Sequence, residues 1–422
     1  MDPITRTLLS IHAEFAAESG GELADYIPQL AAADPTRFGL ALVSMGGTVY
    51  QAGDTEAFTI QSVSKPFVYA LALADNGLEA VLERVSAEPS GEPFNAVSLE
   101  AGTGRPANPM INAGAILTTS LVRASGPQDR FARIHDALAR FAGRKLDVDD
   151  ATFASERATG DRNRALAYLM RAAGSLTEPV DEVVDTYFRQ CSVLATTADI
   201  ATMAATLAAG GVNPRTGERV VGEREAGYVL SVMATCGMYD YSGEWLLRAG
   251  LPAKSGVSGA LIAAGPAQFG IGLFSPPVDR RGNSVRAVRA MQRISQRFDL
   301  DLVRHVGLSA PVAHWRARGP VAVLEVQGEL DFAAAEVVLG ELLSLPESGT
   351  RILLLDLDRV SRIWPVAADV LTGAVAGLAE HGVRATAAGR TADQVSGVPR
   401  FAGPAEALAW CEDTLRADGG EP

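Results

Sequence analysis

Strand-like segments near both ends of the first 307 residues constrain the fold of this 422-residue chain more than any other feature. Residues 38–43 and 268–274 are apolar runs of strand length. The segments between them have helical spacing of apolar residues, and they cover 64–75, 130–141, 162–173 and 197–210. Early and late strands around a helical middle predict an α+β fold whose sheet is closed by distant parts of the chain.

The last hundred residues follow a different pattern, in which strands alternate with helices. Strand-like segments at 321–326 and 351–357 each precede a helix-like one, at 332–345 and 366–381. This alternation predicts a small α/β domain. The predicted organisation is a first domain over 1–307, a linker over 308–318, a second domain over 319–415 and a flexible tail over 416–422.

The bulk composition excludes several classes of function. A net charge of -13 and a pI near 5.0 leave no basic surface for a nucleic acid. The three cysteines are odd in number, widely spaced and outside any Cys/His cluster, which favours a reduced chain with no disulfide and no zinc site. No signal peptide is recognisable, and no apolar run reaches the roughly 18 residues of a membrane span. We therefore expect a cytoplasmic protein without membrane contact.

Lysine is very rare in this chain. Only Lys65, Lys145 and Lys254 occur, and the other 34 of the 37 basic residues are arginine. Arginine keeps its proton at any working pH, whereas a desolvated lysine can become a neutral base. The rarity of lysine therefore indicates positions where an amine is chemically required, although a coding bias that left three random lysines explains the count equally well.

Two of these lysines lie in short motifs that occur together in known enzymes. Ser62 and Lys65 form a Ser-x-x-Lys, and Lys254 begins a Lys-Ser-Gly. The pair of motifs is typical of serine acyl-transfer enzymes of the β-lactamase and penicillin-binding type, whereas Ser-x-x-Lys alone is also an ordinary helix start. A lysine base needs a pKa lowered from about 10.4 toward roughly 7–8, and a second cation such as Lys254 would favour that. No histidine has the context of a Ser-His-Asp triad.

A longer series of segments resembles the serine-dependent glutaminase family, in unbroken order over residues 20–300. These segments are 25–30, 61–66, 108–115, 155–157, 160–163, 187–192, 203–211, 236–243, 250–256 and 275–279. β-Lactamase sequences share the serine and the lysines but not these segments. The resemblance implies a β-lactamase-like sheet with a helical subdomain. It also implies hydrolysis of the side-chain amide of L-glutamine to L-glutamate and ammonia, without a metal or an organic cofactor.

The same resemblance implies a role for each matching residue. Ser62 resembles the nucleophile and Lys65 its general base. Tyr239 resembles a hydroxyl that helps to move the proton, with Tyr26 close by. The backbone N–H groups of Ser62 and Val257 resemble an oxyanion hole, in which two donors hold the developing negative charge.

A substrate site for glutamine needs an anion for its ammonium group and donors for its carboxylate. The residues that match the substrate-binding positions of the family are Ser62, Asn112, Glu156, Asn163, Tyr187, Tyr239 and Val257, with Gln61 and Lys254 in support. Glu156 can pair with the ammonium, and Asn112 can serve either end of the zwitterion. Taken singly, each has a plainer explanation: Glu156 as a surface ion pair, Asn163 as a helix cap and Tyr187 as a core aromatic.

Residues 319–415 resemble the sulfate-transporter and anti-sigma-factor-antagonist (STAS) domain, through the apolar patterns at 323–332 and 354–360. Regulatory members carry a phosphorylatable serine at the start of the next helix. Here residues 363–368 contain no hydroxyl, and Ser361 is predicted to lie earlier, in a loop. We therefore do not expect the usual phosphorylation switch. A small-molecule ligand, a protein partner and a purely structural role all remain open.

Three interpretations of the whole chain follow. The first is a glutaminase with an accessory STAS-like domain, assembled as a homodimer or homotetramer as the resemblance suggests. The second is a β-lactamase or penicillin-binding-type acyl hydrolase. The third is a regulatory binding protein without activity, which the presence of Ser62, Lys65, Tyr239 and Lys254 disfavours.

Replacing Lys65 by arginine tests whether an amine is required. We expect Lys65→Arg to lose nearly all glutamine hydrolysis, as Lys65→Ala and Ser62→Ala should, because a permanent cation cannot accept the serine proton. Ammonia release from purified, folded variants is the measurement, and Lys145→Arg is the matched control. An active Lys65→Arg enzyme would mean that this lysine acts only through its charge.

Overall fold

The computed structural model describes residues 3–92, 96–298, 300–302, 313–317, 319–330, 332–346 and 348–418. The chain divides into a first unit, residues 1–306, and a second unit, residues 307–422. No helix within these described ranges combines the length and the apolar character needed to cross a bilayer.

The first unit alternates short strands with many helices. Its strands are β1 (Gly39–Ser44), β2 (Val49–Gly53), β3 (Phe58–Thr59), β4 (Asp147–Val148), β5 (Val193–Ala195), β6 (Ala253–Ser255), β7 (Ala260–Gly265) and β8 (Phe269–Phe274). Its helices are α1 (Pro3–Ala16), α2 (Pro28–Ala31), α3 (Lys65–Asn76), α4 (Leu78–Leu82), α5 (Asn112–Leu121), α6 (Pro127–Ala142), α7 (Asp150–Thr159), α8 (Asp161–Ala172), α9 (Val180–Cys191), α10 (Thr197–Ala208), α11 (Glu223–Cys236), α12 (Ser242–Ala249) and α13 (Val285–Phe298). Two 3₁₀ turns, Gln61–Ser64 and Tyr239–Tyr241, precede α3 and α12.

The main sheet of the first unit joins the early strands to the late ones, as the sequence predicts. Its order is β2-β1-β8-β7-β6, and all neighbours are antiparallel. Gly39 of β1 lies opposite Phe274 of β8. The strands β3, β5 and β4 form a second, small sheet next to the helical middle. The helices predicted from apolar spacing correspond to α3, α6, α8 and α10.

Both faces of the main sheet are covered, which explains why β7 and β8 are buried along their whole length. On one face α1, α12 and α13 supply Leu8, Trp245 and Ile294 to a common core. On the other face α10 packs closely because β8 presents glycines there. A Cβ added at Gly270 would lie 2.1 Å from the backbone nitrogen of Ala205, and one at Gly272 would lie 2.6 Å from a carbonyl oxygen of the same helix.

The second unit contains a mostly parallel sheet covered by helices on both faces. Its elements are β9 (Ala313–Ala317), β10 (Val321–Leu330), α14 (Phe332–Leu343), β11 (Ile352–Ile363), α15 (Pro365–Glu380), β12 (Arg384–Ala388), β13 (Arg400–Phe401) and α16 (Pro404–Ala417). The order is β13-β12-β11-β10-β9, and only β9 is antiparallel to its neighbour. Side chains alternate along β11: Leu353 and Leu355 face the core under α14 and α15, while Ile352 and Leu354 face α16.

The sequence misplaces three details around the second unit. Residues 313–317, predicted to be linker, form β9 because their backbone groups pair with the open edge of β10. Residues 308–312 and 318 lie outside the described residues. The predicted tail begins too early, since α16 continues to Ala417 and Asp418 pairs with Arg351 and Arg384. Residues 419–422 lie outside the described residues. Ser361 lies within β11 and donates to the carbonyl of Gly328, so it is not in a loop.

The close contact between β8 and α10 generates a stability prediction. We expect Gly270→Ala to destabilise the first unit by about 1–3 kcal/mol, because its Cβ collides with backbone atoms that cannot rotate away. The unfolding midpoint in urea is the measurement. Gly227→Ala is the matched control, because Gly227 lies inside α11 with no atom within 4 Å of an added Cβ. That control should gain up to about 1 kcal/mol from helix propensity. Equal midpoints for the two variants would contradict this account.

Candidate active site

The backbone around Ser62 is strained. Gln61 has φ +46°, a left-handed conformation that is unfavourable for a side chain with a Cβ. The turn is held because Ser64 Oγ donates to the Gln61 carbonyl at 2.8 Å and Gln190 Nε2 donates to Ser64 Oγ at 3.3 Å. Among the described residues only Gln61, Tyr239 and Ala267 are non-glycine residues with positive φ, and two of these belong to the predicted site. Such strain, of order 1–3 kcal/mol per residue, concentrates at functional sites.

Lys65 is fully buried, three residues after Ser62 at the start of α3. Its Nζ donates to Asn112 Oδ1 at 2.7 Å and to the Met110 carbonyl at 3.3 Å. Burial lowers the pKa of Lys65 to about 8, because the ammonium form loses its hydration. Lys65 can therefore reach the neutral form that a base requires.

Tyr239 and Lys254 form a second buried group beside Ser62. The Tyr239 hydroxyl donates to the Ser255 carbonyl at 3.0 Å, and Lys254 Nζ donates to the same oxygen. Lys254 Nζ also lies 4.1 Å from the centroid of the Tyr239 ring. Burial raises the pKa of Tyr239, and a hydrogen bond with Ser62 partly offsets this. Burial also lowers the pKa of Lys254, and the nearby charge of Lys65 lowers it further.

The turn after β6 brings Val257 to the same place as Ser62. Gly256 makes this possible, since a Cβ there would lie 3.3 Å from Val63 Cγ2 and 3.4 Å from the Ile60 carbonyl oxygen. The turn is closed by the Gly256 N–H, which donates to the Ala260 carbonyl at 2.8 Å. Two chain segments almost 200 residues apart thus line one opening.

A group of polar side chains lies opposite Ser62. Tyr26 Oη donates to Glu156 Oε1 at 3.1 Å and lies 3.3 Å from Gln61 Oε1. Burial raises the pKa of Glu156, and the hydrogen bond from Tyr26 opposes the shift. Glu156 is thus a buried carboxylate with no basic side chain in ion-pair contact among the described residues.

Asn112 connects this polar group to Lys65. Its Oδ1 accepts from Lys65 and, at 3.4 Å, from the Tyr187 hydroxyl, while its Nδ2 donates to Asn163 Oδ1 at 3.0 Å. The three residues come from the N-terminal halves of α5 and α8 and from α9. One amide group therefore contacts both the proposed base and the predicted substrate pocket.

These side chains surround a cavity of about 190 Å³. Of the residues predicted from the sequence, those that line it are Tyr26, Gln61, Ser62, Asn112, Glu156, Asn163, Tyr187 and Val257. Lys65, Tyr239 and Lys254 lie outside the lining and reach it through the contacts described above. No group of three or more His, Cys, Asp or Glu side chains suited to a metal ion exists within the described ranges.

Four lining residues were not predicted as site residues: Thr159, Gly160, Arg162 and Cys191. Each lies within six residues of a predicted one, and all but Thr159 fall inside segments that carry the resemblance, which was the available signal. Gly160 is required because a Cβ there would lie 2.1 Å from Phe188 Cζ. Burial raises the pKa of the Cys191 thiol to about 12, so this thiol is neutral and a poor nucleophile.

Comparison with known proteins finds relatives over most of the chain. A model of the family described as Glutaminase matches residues 21–302, which is more than half of the chain. The chain belongs to the glutaminase family. Glutaminase 2 of Bradyrhizobium diazoefficiens is 43% identical over 98% of this chain and 72% of its own length. The glutaminase of Nostoc sp. is 48% identical over 71% of this chain and 90% of its own length.

Solved structures extend the similarity of this glutaminase into its second unit. The crystal structure of Mglu is 44% identical, with a TM-score of 0.84, and covers 92% of this chain and 98% of that chain. Because the first unit comprises 306 of the 422 residues, similarity over 92% must include part of the second unit. Mglu in its glutamate form is 40% identical, with a TM-score of 0.83. The resemblance to the glutaminase family is confirmed, and the family match favours the glutaminase interpretation over the β-lactamase-type one.

The scarcity of lysine makes the pKa of Lys65 directly measurable. Protein labelled with ¹³C at lysine Cε has three signals, since it has three lysines, and Lys65→Arg identifies the one of interest. We expect that signal to titrate near pH 8, well below the roughly 10.4 of free lysine, because burial disfavours the ammonium. Lys145→Arg, at an exposed position, should leave this midpoint unchanged. A midpoint above pH 10 would contradict the assignment of Lys65 as a base.

Proposed function

We propose that this glutaminase hydrolyses the side-chain amide of L-glutamine to L-glutamate and ammonia through an acyl-enzyme on Ser62. One observation carries the proposal. Ser62 shares a small cavity with a buried carboxylate, Glu156, and lies three residues from a lysine whose pKa is lowered to about 8. The small cavity with its buried carboxylate suits a zwitterionic amino acid. The lysine suits removal of a proton from serine.

The cavity favours a single amino acid as the substrate. The substrate ammonium would supply the cation that buried Glu156 lacks, so binding should favour the ionised carboxylate. The amide groups of Asn112 and Asn163 and the Tyr187 hydroxyl offer donors to the α-carboxylate. A volume of 190 Å³ is below the roughly 300–1,000 Å³ of sites for larger ligands, which disfavours peptides and bulky β-lactams.

In the acylation step, Ser62 Oγ attacks the side-chain carbonyl carbon of glutamine. The serine proton passes to the neutral amine of Lys65 by way of the Tyr239 hydroxyl. Tyr26 lies beside the bound substrate. The carbonyl π electrons move to oxygen, where the N–H groups of Ser62 and Val257 hold the charge. The C–N bond then breaks, and the proton carried by Lys65 goes to the leaving nitrogen, which departs as ammonia.

Deacylation repeats the same proton movements with water. Neutral Lys65 takes a proton from a water that attacks the ester carbon, and the proton returns to Ser62 Oγ when the ester bond breaks and L-glutamate leaves. A pKa near 8 leaves about one-tenth of Lys65 neutral at pH 7. Rates should therefore rise with pH and level off above pH 8. Lys254 contributes positive charge and packing rather than proton transfer.

We infer for the second unit a STAS-like accessory domain, supported by its mostly parallel sheet with helices on both faces. The residues at the start of α15 offer no hydroxyl at 363–368, so the inference does not include a phosphorylation switch. We also propose that the chain assembles as a homodimer or homotetramer. We propose a reducing, cytoplasmic location for it. The three cysteines, Cys191, Cys236 and Cys411, are all buried and free, which fits a reducing location.

Ammonia release from L-glutamine by the purified chain tests the proposed reaction. We expect turnover with glutamine and very little with asparagine. A missing methylene alone changes binding by only about 1–3 kcal/mol, but the clamp on the α-groups would hold the asparagine amide away from Ser62. The Ser62→Ala variant is the negative control. Comparable turnover of both amides would refute the clamp, and hydrolysis of a chromogenic cephalosporin without ammonia release would favour the β-lactamase-type alternative.

A further inference from the structure

A second cavity lies on the opposite side of two helices that line the catalytic pocket. It has a volume of about 460 Å³ and is bordered by α6, α7 and α9. Glu156 on α7 faces the catalytic pocket, and its neighbour Arg157 faces the second cavity. On α9, Tyr187 faces the catalytic pocket and Arg189 faces the second cavity. The two cavities therefore share α7 and α9 as their common wall.

Arg189 is held in a fixed orientation at one end of this second cavity. Its guanidinium carbon lies 5.3 Å from the centroid of Phe131 and 5.0 Å from that of Phe153, so aromatic rings from two different helices hold it. In the part of the chain that the structure describes, no carboxylate lies within ion-pair distance of this guanidinium. Its N–H groups are thus oriented in advance and available to a ligand carboxylate.

Negative charge occupies the other end of the cavity, at the first turns of α9. Asp185 is already paired with Arg157 at 3.2 Å, whereas Glu182 has no basic partner among the described residues. Glu182 and Arg189 are seven residues apart and lie on the same helical face, about 10 Å apart along the axis. The cavity therefore has an available carboxylate and an available guanidinium along one line.

We propose that this cavity is a second amino-acid site, which binds the zwitterion of a free α-amino acid with its carboxylate on Arg189 and its ammonium on Glu182. A ligand with both charges matches both ends. Phosphate matches only the arginine end. The cavity is lined by three carboxylates as well as two arginines, and carboxylates repel an anion. Because α7 and α9 also carry Glu156 and Tyr187, a bound amino acid contacts the helices that position the catalytic pocket.

Equilibrium dialysis with radiolabelled L-glutamine tests this second site. The Ser62→Ala chain is used so that glutamine is not consumed, and the second site is read from the difference that Arg189→Gln makes, which does not depend on what the catalytic pocket binds. We expect two glutamines per chain at saturation, and one when Arg189→Gln is added. Arg362→Gln is the matched control, because Arg362 also stacks on an aromatic ring, 3.9 Å from that of Trp364, but belongs to the second unit. This control should still bind two.

Folding of the test variant is checked separately. Arg189→Gln with Ser62 intact should keep the kcat of the unmodified chain, or its circular dichroism and melting temperature if no turnover is found. An unchanged stoichiometry when Arg189→Gln is added to the Ser62→Ala chain overturns the proposal, whereas a fall from one to zero supports it and counts against glutamine binding in the catalytic pocket. Two bound glutamines in the folded Ser62→Ala, Arg189→Gln chain overturn it as well.

Discussion

The burial of the Lys65 amino group is the constraint on which the proposed chemistry depends. Removal from water favours the neutral amine, while the Asn112 side chain and the Met110 carbonyl accept hydrogen bonds that favour the ammonium. The loss of hydration outweighs the effects that favour the charged form, so the pKa of Lys65 falls to about 8. Because Asn112 also contacts Tyr187 and Asn163 in the cavity, the packing of α5 against α3 and α9 positions the proposed base and the pocket together.

The distribution of lysine and arginine over the chain follows from this constraint. Lys65 and Lys254 have no exposed surface, and burial lowers the pKa of both. An arginine at either position would place a permanent charge in a site that hydrates it poorly. Lys145 is exposed and lies outside both motifs. Two of the three lysines thus lie where their amino groups are fully buried, and only Lys65 is proposed to exchange its proton.

The sequence predicts the regular parts of the fold because they depend on local patterns. The apolar runs that become β1 and β8 and the spacing that becomes α3 and α10 are visible without a structure. The strand β9 is not, because its pairing depends on the open edge of β10 rather than on its own residues. In the site, ordered motifs identify Ser62, Lys65 and the polar residues around them. The left-handed backbone of Gln61 depends on three-dimensional packing, which no local pattern records, and Cys191 lies in a matching segment to which the resemblance gave no role for the thiol.

The pairing of β1 with β8 also has a consequence for how the protein folds. More than 220 residues separate the two strands, so the loop between them must close before the sheet gains its central contacts. Ser62 and Val257 lie on either side of the helical segment enclosed by that loop. Their common opening cannot exist in a partly folded chain that has only one end of the sheet. The proposed active site of a nascent chain therefore cannot form until the first unit is complete.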